Sequence, residues 1–393
     1  MAGTDRATGP DAGRVDPSYG RFFLPGPTEV RPEVLAAQAR PLIGHRGAGI
    51  QALMGELQDG LRDVFRTSRP VFVSTSSGTG LMEAAVRNGV RQRLLALVNG
   101  AFSERFGKIA EACGKDVETL DVPWGEVHDP AEVGERIRSA EASGRPFDAV
   151  TLVHSETSTG ALNPVAEIAR EIREAASGES PVVLVDSVTG VGGAPLEADA
   201  WDLDFVLTGS HKALALPPGL AFGVPSERMM ARAEEVADRG YYFDFLTFQK
   251  QLDKLQTPTT PAISLLYATQ EQLRFIRSEG MEGRWARHRR MAERTHRWVG
   301  EMRERHGLDL RILAVEGRRS PTVTNVMLPE GVAGPDIVTG AREAGFVIGG
   351  GYGKLKPEAF RIGHMGDHTL EELEALLEAL DGVLAGQAGR VAG

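Results

Sequence analysis

Short apolar runs alternate with helical patterns between residues 70 and 209, and this alternation restricts the fold more than any other feature of the sequence. Apolar runs that end in small or polar residues occupy 71–74, 94–100, 116–122, 148–156, 181–186 and 204–209. A helical pattern separates most neighbouring runs, which is typical of right-handed βαβ crossovers. We therefore expect an α/β domain whose largely parallel sheet is covered by helices on both faces. In such a sheet, ligand-binding groups collect at the carboxyl ends of the strands.

The sequence changes character after residue 265. A long helical stretch, broken near Gly280, is followed by four short apolar runs that alternate with helical patterns. This pattern predicts a smaller α+β domain at 266–393. We assign residues 21–265 to an N-terminal arm and a large domain. Residues 1–20 are rich in Gly, Asp, Pro and Arg without periodicity, and we expect them to form a disordered tail.

Composition argues against several classes of protein. The formal net charge is −10 and the isoelectric point is near 5.5, which disfavours nucleic acid or an anionic membrane as the partner. No apolar run approaches the roughly 18 residues that a membrane span needs. The chain starts without a hydrophobic signal core, so we expect a cytoplasmic protein. Its single cysteine, Cys113, excludes an internal disulfide and a thiolate metal cluster, and no metal site is predicted.

Three features at predicted strand ends suit one ligand. Lys212 follows Gly-Ser-His in the turn beyond the strand at 204–209, where an ordinary solvated lysine is the alternative interpretation. Asp186 closes the apolar run at 181–186, and a carboxylate in such a place needs a cation or several hydrogen-bond donors. The Ser/Gly/Thr turn at 75–80 leads from a strand into a helix, as anion sites do, but lacks the third glycine of a dinucleotide fingerprint. An amine, a carboxylate and an anion site are what pyridoxal phosphate requires.

Eight motifs resemble those of the class V aminotransferases of fold type I, in particular the alanine/serine–glyoxylate or pyruvate aminotransferases, and occur in the same order. They are LPGPT, SSGTG, NGAFSER, HSETSTG, VDSVTGVGG, GSHKALALPPG, TPTTPAISLL and FRIGHMG, and they run from residue 24 to residue 366. The resemblance implies a mostly parallel sheet of the seven-stranded type, a smaller C-terminal α+β domain and pyridoxal 5'-phosphate as cofactor. It also implies a homodimer with shared active sites.

The resemblance further implies roles for individual residues. Lys212 matches the lysine that forms a Schiff base with the cofactor, and Asp186 matches the partner of the pyridinium nitrogen. Arg361 matches the arginine that clamps the substrate's α-carboxylate through two parallel hydrogen bonds. The other matches are Phe102, a ring stacked on the cofactor; Ser77, Gly78 and Thr79, the phosphate turn; Thr157, a hydroxyl near the phenolic oxygen; His211, the polar residue before the lysine; and Thr259, which reaches the phosphate from the neighbouring subunit.

Four further positions concern the substrate and the phosphate. Gly26 in LPGPT, together with His45 and Arg46 in GHRG, is predicted to lie at the substrate. The His-Arg pair is similar to one that phosphoserine aminotransferases use to hold a substrate phosphate, and a structural role fits it equally well. Gln256 stands where relatives often carry tyrosine, so the sequence does not identify one of the hydrogen-bond donors to the cofactor phosphate.

The sequence therefore predicts a transaminase that moves an amino group from alanine, serine or aspartate to a 2-oxo acid such as glyoxylate or pyruvate, by a ping-pong mechanism through pyridoxamine phosphate. A phosphoserine or aminophosphonate aminotransferase and a class V lyase or epimerase are the alternatives. A cysteine desulfurase would need a mobile nucleophilic cysteine, and Cys113 lies between a helical pattern and the next strand. A nicotinamide-dependent dehydrogenase is disfavoured because the turn at 75–80 lacks the third glycine of the dinucleotide-binding motif. A non-catalytic relative would have lost Lys212, Asp186 or Arg361, and all three are present.

Overall fold

The computed structural model describes residues 19–391, in which α-helices and β-strands alternate over most of the length. The strands are β1 Phe22–Phe23, β2 Phe72–Ser74, β3 Arg93–Val98, β4 Asp116–Asp121, β5 Ala149–Val153, β6 Ser155–Glu156, β7 Ala161–Leu162, β8 Val182–Asp186, β9 Phe205–Gly209, β10 Ala221–Pro225, β11 Arg311–Ile312, β12 Thr324–Met327, β13 Val347–Gly350 and β14 Ala359–Ile362. The helices are α1 Pro32–Ala37, α2 Ala48–Phe65, α3 Gly78–Gly89, α4 Ala101–Ala112, α5 Pro130–Ala142, α6 Val165–Ala175, α7 Glu227–Glu235, α8 Phe245–Leu252, α9 Ile263–Glu279, α10 Met281–His306, α11 Gly334–Glu343 and α12 Leu370–Val391. The tail predicted at 1–20 lies outside the described residues except for Tyr19 and Gly20, which form a turn.

Seven strands form the large sheet, in the order β2-β10-β9-β8-β5-β3-β4. The strands from β9 to β4 are parallel to their neighbours, and β10 runs antiparallel to both β9 and β2. The predicted α/β fold with a mostly parallel sheet is therefore confirmed. Strand β10 was not among the predicted strands, because its sequence AFGVP contains a glycine and a proline that weaken a strand pattern.

The central strands of this sheet are buried along their whole length. Every residue of β5, β8 and β9 is buried, which explains why these strands are runs of apolar residues rather than alternating patterns. Helices α3 and α4 pack against the sheet, and α2 and α9 pack against each other in the same core. Polar side chains can therefore collect only where the strands end, and this places the site at their carboxyl ends.

A five-stranded sheet with the order β1-β13-β14-β12-β11 forms the second unit. Helices α10 and α11 pack against its strands, and α12 packs on both helices. Strand β1 joins this sheet in parallel with β13, with Phe22 opposite Val347 and Phe23 opposite Ile348. Because Phe23 is buried in the second core, the N-terminal arm is tied to the smaller sheet, a pairing that spans most of the chain.

The helix break predicted near Gly280 is confirmed, since α9 ends at Glu279 and Gly280 has φ +75°. The predicted domain boundary at residue 266 falls inside α9, whose buried side chains belong to the large core, whereas α10 contributes to the second core from Met291 onward. Within residues 19–391, no helix combines the length and the apolar character that crossing a membrane requires.

Candidate active site

A cavity lies at the carboxyl ends of the large sheet, where the turns after β2, β5, β8 and β9 meet the start of α4. Its lining residues are Ser77, Gly78, Thr79, Met82, Phe102, Arg105, Thr157, Asp186, Val188, Thr189, His211 and Lys212. Eight of the predicted cofactor residues are among them. Parallel strands bring these positions together from segments that are far apart in the chain.

The amine of Lys212 lies inside the protein at this cavity. The residue is only 8% exposed, and its Nζ donates a hydrogen bond to the carbonyl of Pro25 at 2.5 Å. Burial, together with the positive charges of Arg361 and Arg105, lowers the pKa of Lys212 from 10.5 to about 8, and Asp186 opposes the shift. The uncharged form of the amine, which acts as a nucleophile and base, is therefore far more accessible than in a solvated lysine. The alternative of an ordinary surface lysine is excluded.

Gly26 lies directly against this amine, so the LPGPT segment forms part of the site. A Cβ atom on Gly26 would stand 2.3 Å from Nζ of Lys212, and φ is +100°, so only glycine fits. Two hydrogen bonds hold the segment in place: Thr28 Oγ1 donates to the Lys212 carbonyl at 2.8 Å, and Thr28 N donates to the His211 carbonyl at 3.1 Å.

Asp186 is a buried carboxylate with little compensation from the chain itself. It ends β8, is 2% exposed, and its Oδ1 accepts a hydrogen bond from Val188 N at 2.7 Å. Burial raises the pKa of Asp186 to about 7, although the Val188 hydrogen bond, Lys212 and Arg105 act in the opposite direction. A carboxylate that is this costly to bury fits a ligand that carries a positive charge, and a protonated ring nitrogen of pyridoxal phosphate meets that requirement.

The turn before α3 has the properties of an anion site. Ser77 is the N-cap, and its side chain makes no capping hydrogen bond. The N–H groups of Gly78 and Thr79 belong to the first helical turn, where no acceptor within the helix is available. A Cβ on Gly78 would stand 2.4 Å from Val188 Cγ2, which packs this turn against the strand end of Asp186. These groups fit the phosphate of the cofactor.

His211 adds a neutral imidazole to the cavity. Burial and, to a smaller degree, the charge of Lys212 lower the pKa of His211 to about 4. Within the described chain, its Nδ1 atom is buried and has no hydrogen-bond partner. An unpaired buried nitrogen at this position fits a polar group of the cofactor.

Phe102 lies in the first turn of α4 and borders the cavity together with Arg105, and Tyr352 contacts both side chains from outside the lining. Sequence reasoning missed Arg105 and Tyr352. The Phe102 ring centroid is 5.2 Å from that of Tyr352, and the Cζ atom of Arg105 is 4.7 Å from the Phe102 centroid. Arg105 Nη2 donates to the Tyr352 hydroxyl at 2.9 Å. Arg105 stands three residues after Phe102 on the same helix, and residues at this spacing lie on the same helix face, so the sequence could have predicted that they are neighbours. Tyr352 has no such signal, because it comes from the smaller domain.

Glu156 is a third residue that the sequence interpretation missed, although it lies in HSETSTG. Its side chain is fully buried, and its carboxylate accepts hydrogen bonds from Phe102 N at 3.2 Å, Ser103 N at 3.0 Å and Ser158 N at 3.1 Å. Glu156 thereby caps the amino end of α4 and fixes the backbone of Phe102.

Arg361 reaches the same region from β14 of the smaller sheet. Its Nε donates to the Gly350 carbonyl at 2.8 Å, and its Nη1 donates to the Thr157 carbonyl at 3.1 Å. Burial lowers the pKa of Arg361 to about 10. Across residues 19–391, no carboxylate lies within ion-pair distance of this guanidinium, so it is oriented by carbonyl groups and has no anion of its own. This arrangement fits a clamp for a carboxylate ligand.

Besides Gly26 and Arg361, which adjoin the cavity, three predicted residues are outside its lining in the single chain. Thr259 borders a separate depression. Arg46 is exposed and donates to the backbone carbonyls of Thr257 at 2.7 Å and Pro258 at 3.2 Å, so it holds the loop that carries Thr259. His45 is half-buried next to it. The structural role that the sequence left open for Arg46 is thus realised in its own chain.

The fold and the site define a fold type I aminotransferase. The crystal structure of an alanine–glyoxylate aminotransferase from Nostoc sp. matches with a TM-score of 0.83 and 33% sequence identity, covering 93% of this chain and 95% of that one. The family model of the class-V aminotransferases matches residues 42–363. An aminotransferase of Methanocaldococcus jannaschii is 36% identical over 94% of this chain and 93% of its own length. The L-aspartate–glyoxylate aminotransferase of Paracoccus denitrificans is 32% identical over 90% of this chain and 88% of its own length. The chain belongs to the class V aminotransferases and is a transaminase.

Proposed function

We propose that the protein uses pyridoxal phosphate to pass the amino group of a small amino acid to glyoxylate or a similar 2-oxo acid such as pyruvate. The observation that carries the proposal is the buried amine of Lys212 and the buried carboxylate of Asp186 at one cavity, beside the free helix terminus of α3. The relatives from Nostoc and Paracoccus are named for alanine, aspartate and glyoxylate, which supports amino donors and acceptors of this size.

The residues of the chain divide the work of the reaction. Bound pyridoxal phosphate supplies an electron sink for the electron pair left when the substrate loses its Cα proton. Lys212 takes that proton and returns it, which requires the amine to be uncharged when it acts. Asp186 holds the positive charge of the ring nitrogen, and the amino end of α3 holds the phosphate. Arg361 fixes the α-carboxylate, and thereby the direction in which the Cα proton points.

Replacement of Lys212 by alanine tests this assignment. We expect Lys212→Ala to lose both the absorbance of the lysine-bound cofactor and turnover, whereas Lys108→Ala, which removes an exposed lysine on α4, keeps both. Substantial turnover by Lys212→Ala would sink the proposal. With the wild-type holoenzyme, conversion of the cofactor to its pyridoxamine form in the presence of alanine, serine, aspartate or phosphoserine identifies the donor.

The alternatives predict other outcomes of the same assay. A response to phosphoserine alone would favour the phosphoserine aminotransferase, which the engagement of Arg46 by backbone carbonyls does not support. No conversion with any donor would favour a lyase or epimerase. The desulfurase is disfavoured because Cys113 is the C-cap of α4 and lies outside the cavity, and because burial raises the pKa of its thiol.

We also propose a homodimer in which Thr259 serves the cofactor of the partner subunit. Within its own chain Thr259 lies away from the cavity, in a depression shared with Tyr242, and the adjacent Tyr241 is 92% exposed, as at an interface. Co-expression of Lys212→Ala with Thr259→Ala gives heterodimers with one intact site, so we expect cofactor affinity and turnover to recover above those of either variant alone. A fully active monomer would contradict the shared site.

A further inference from the structure

Arg284 is a buried arginine in the first turn of α10, outside the eight motifs and outside the cavity lining. The sequence around it, GRWARHRR, is rich in arginine, as exposed helix faces are, yet the side chain of Arg284 is only 1% exposed. Its Nε donates to the Gly192 carbonyl at 3.1 Å, and its Nη2 donates to the Ala213 carbonyl at 2.7 Å. Its Nη1 donates to the carboxylates of Asp367 at 2.8 Å and Glu279 at 3.0 Å. These hydrogen bonds offset the cost of burying the charge.

The two backbone carbonyls that this guanidinium holds belong to the turns that carry the predicted catalytic residues. Ala213 follows Lys212 directly, and Gly192 lies in the turn that follows Asp186 at the end of β8. The two turns touch each other, since a Cβ on Gly193 would stand 2.9 Å from the Cβ of Ala213. One planar guanidinium with fixed donor directions therefore sets the spacing between the turn of the amine and the turn of the carboxylate.

Asp367 connects the same arginine to the N-terminal arm. Its Oδ2 accepts from Arg31 Nε at 2.7 Å and from Gln272 Nε2 at 3.0 Å. Burial acts to raise the pKa of Asp367, but Arg284 and Arg31 hold it well below its usual range. Arg31 stands three residues after Thr28, which ends the LPGPT segment. The arm, the turn after β8 and the turn after β9 are thus tied to one buried ion pair.

The turn that carries Lys212 is strained and needs such support. Ala215 has φ +52°, in the left-handed region that residues other than glycine rarely adopt, and its N–H donates to the Lys212 carbonyl at 2.8 Å. A backbone in this conformation persists only where the surrounding contacts hold it. Arg284 supplies one of these contacts two residues away, at Ala213.

We propose that Arg284 is a positioning residue that keeps the amine of Lys212 buried and at a fixed distance from the carboxylate of Asp186. It acts through the two backbone carbonyls rather than through either side chain. This inference rests on the proposed aminotransferase function and adds to it a residue of α10. Without Arg284 the turn relaxes and the amine gains water.

The pH dependence of cofactor capture tests this role, because it reports the burial of the amine. Pyridoxal phosphate is mixed with the cofactor-free wild type, Arg284→Met and Arg284→Lys, and the rate is followed by absorbance between about pH 6 and pH 11. The wild-type midpoint is expected near 8. We expect both variants to move it to about 9 or higher, because a more hydrated amine regains the pKa of an ordinary lysine.

The choice of variants separates the lost hydrogen bonds from a lost charge. The charged groups that face the amine are Arg361, Asp186 and Arg105, and all three remain in every variant. Arg284→Lys also keeps a positive charge beside the buried ion-pair partner, but it lacks the planar donors that hold two carbonyls at once. Arg294→Met is the matched control, because it removes another α10 arginine from an ion pair, at 2.7 Å, and should keep the midpoint near 8.

Two further measurements distinguish positioning from a general loss of stability. In the holoenzyme, Arg284→Lys should lower kcat about 10-fold or more and change KM far less, because Arg361 still binds the α-carboxylate. In cofactor-free protein, the amides of Ala215 and Leu216, which bond within the turn, should exchange with deuterium faster than in the wild type.

A midpoint that stays near 8 in Arg284→Lys, with a wild-type kcat, would overturn the positioning role. If Arg284→Met does not fold, Arg284→Lys still decides the question. If the wild type captures no pyridoxal phosphate, the proposed function fails, whereas hydrogen exchange still tests the hold of Arg284 on this turn: faster exchange supports it, and unchanged exchange contradicts it.

Discussion

Replacement of Glu156 by glutamine (E156Q) is expected to loosen the start of α4 and, with it, the position of Phe102. Glu156 is fully buried. Its Oε2 accepts from Phe102 N at 3.2 Å, Ser103 N at 3.0 Å and Ser103 Oγ at 3.1 Å, and its Oε1 accepts from Ser158 N at 3.1 Å and Ser158 Oγ at 2.6 Å. Each oxygen therefore accepts from at least one backbone N–H group, which cannot accept a hydrogen bond from an amide NH₂ group.

The size of the effect follows from these contacts. Glutamine has one acceptor oxygen and an NH₂ group that only donates, so at least one buried backbone N–H loses its partner, at a cost of about 1–3 kcal/mol. The hydrogen bonds that remain lose their charge assistance, about 1 kcal/mol each, and the helix terminus loses a negative charge worth about 0.5–1 kcal/mol. We expect E156Q to destabilise this part of the protein by about 3–5 kcal/mol.

Hydrogen–deuterium exchange of a peptide that covers residues 99–106 measures this loss where it occurs, and urea unfolding measures its effect on the whole chain. The control is E167Q, because Glu167 is an exposed carboxylate in the first turn of α6, where the change should cost no more than about 1 kcal/mol. Turnover should fall with E156Q and not with E167Q. The reasoning is wrong if the amides of Phe102 and Ser103 exchange as slowly in E156Q as in the wild type.

Three further predictions concern the lysine and its surroundings. Because burial lowers the pKa of Lys212 to about 8, the uncharged amine becomes more abundant as the pH rises. Capture of pyridoxal phosphate by cofactor-free protein, followed by stopped-flow absorbance, should therefore accelerate between about pH 6 and pH 9 with a midpoint near 8. A rate that does not change with pH would contradict this prediction. Gly26→Ala places a Cβ 2.3 Å from the Lys212 Nζ and should slow the capture of pyridoxal phosphate by about 10-fold or more. Gly114→Ala is the control, because Gly114 has a similar positive φ but open space around it, and this variant should capture the cofactor at the wild-type rate. Asp186→Ala should still bind the cofactor through the amino end of α3, and its kcat should fall by about two orders of magnitude or more; a near-normal kcat would mean that another group serves the ring nitrogen.

Much of the large domain could be predicted from the sequence, because its signals are local. The apolar runs that became β5, β8 and β9 are continuous, since each strand is covered on both faces, and Asp186 and the turn with Lys212 stand where such strands leave the core. Strand β10 was missed because its glycine and proline hide it. The boundary placed at residue 266 cut through α9, because helical periodicity does not tell which of two cores a helix joins.

The sequence by itself determined the fold class, the order of the motifs and the residues that reach the cavity from strand ends. Only the tertiary structure decided what surrounds them. Arg105 and Tyr352 are 247 residues apart and meet because the smaller domain packs over the start of α4. The pKa of Lys212 is likewise a property of its burial and its neighbours rather than of the residue. Contacts between distant segments and the removal of water from a site arise only when the elements pack, and here they distinguish the amine of Lys212 and the guanidinium of Arg105 from ordinary surface charges.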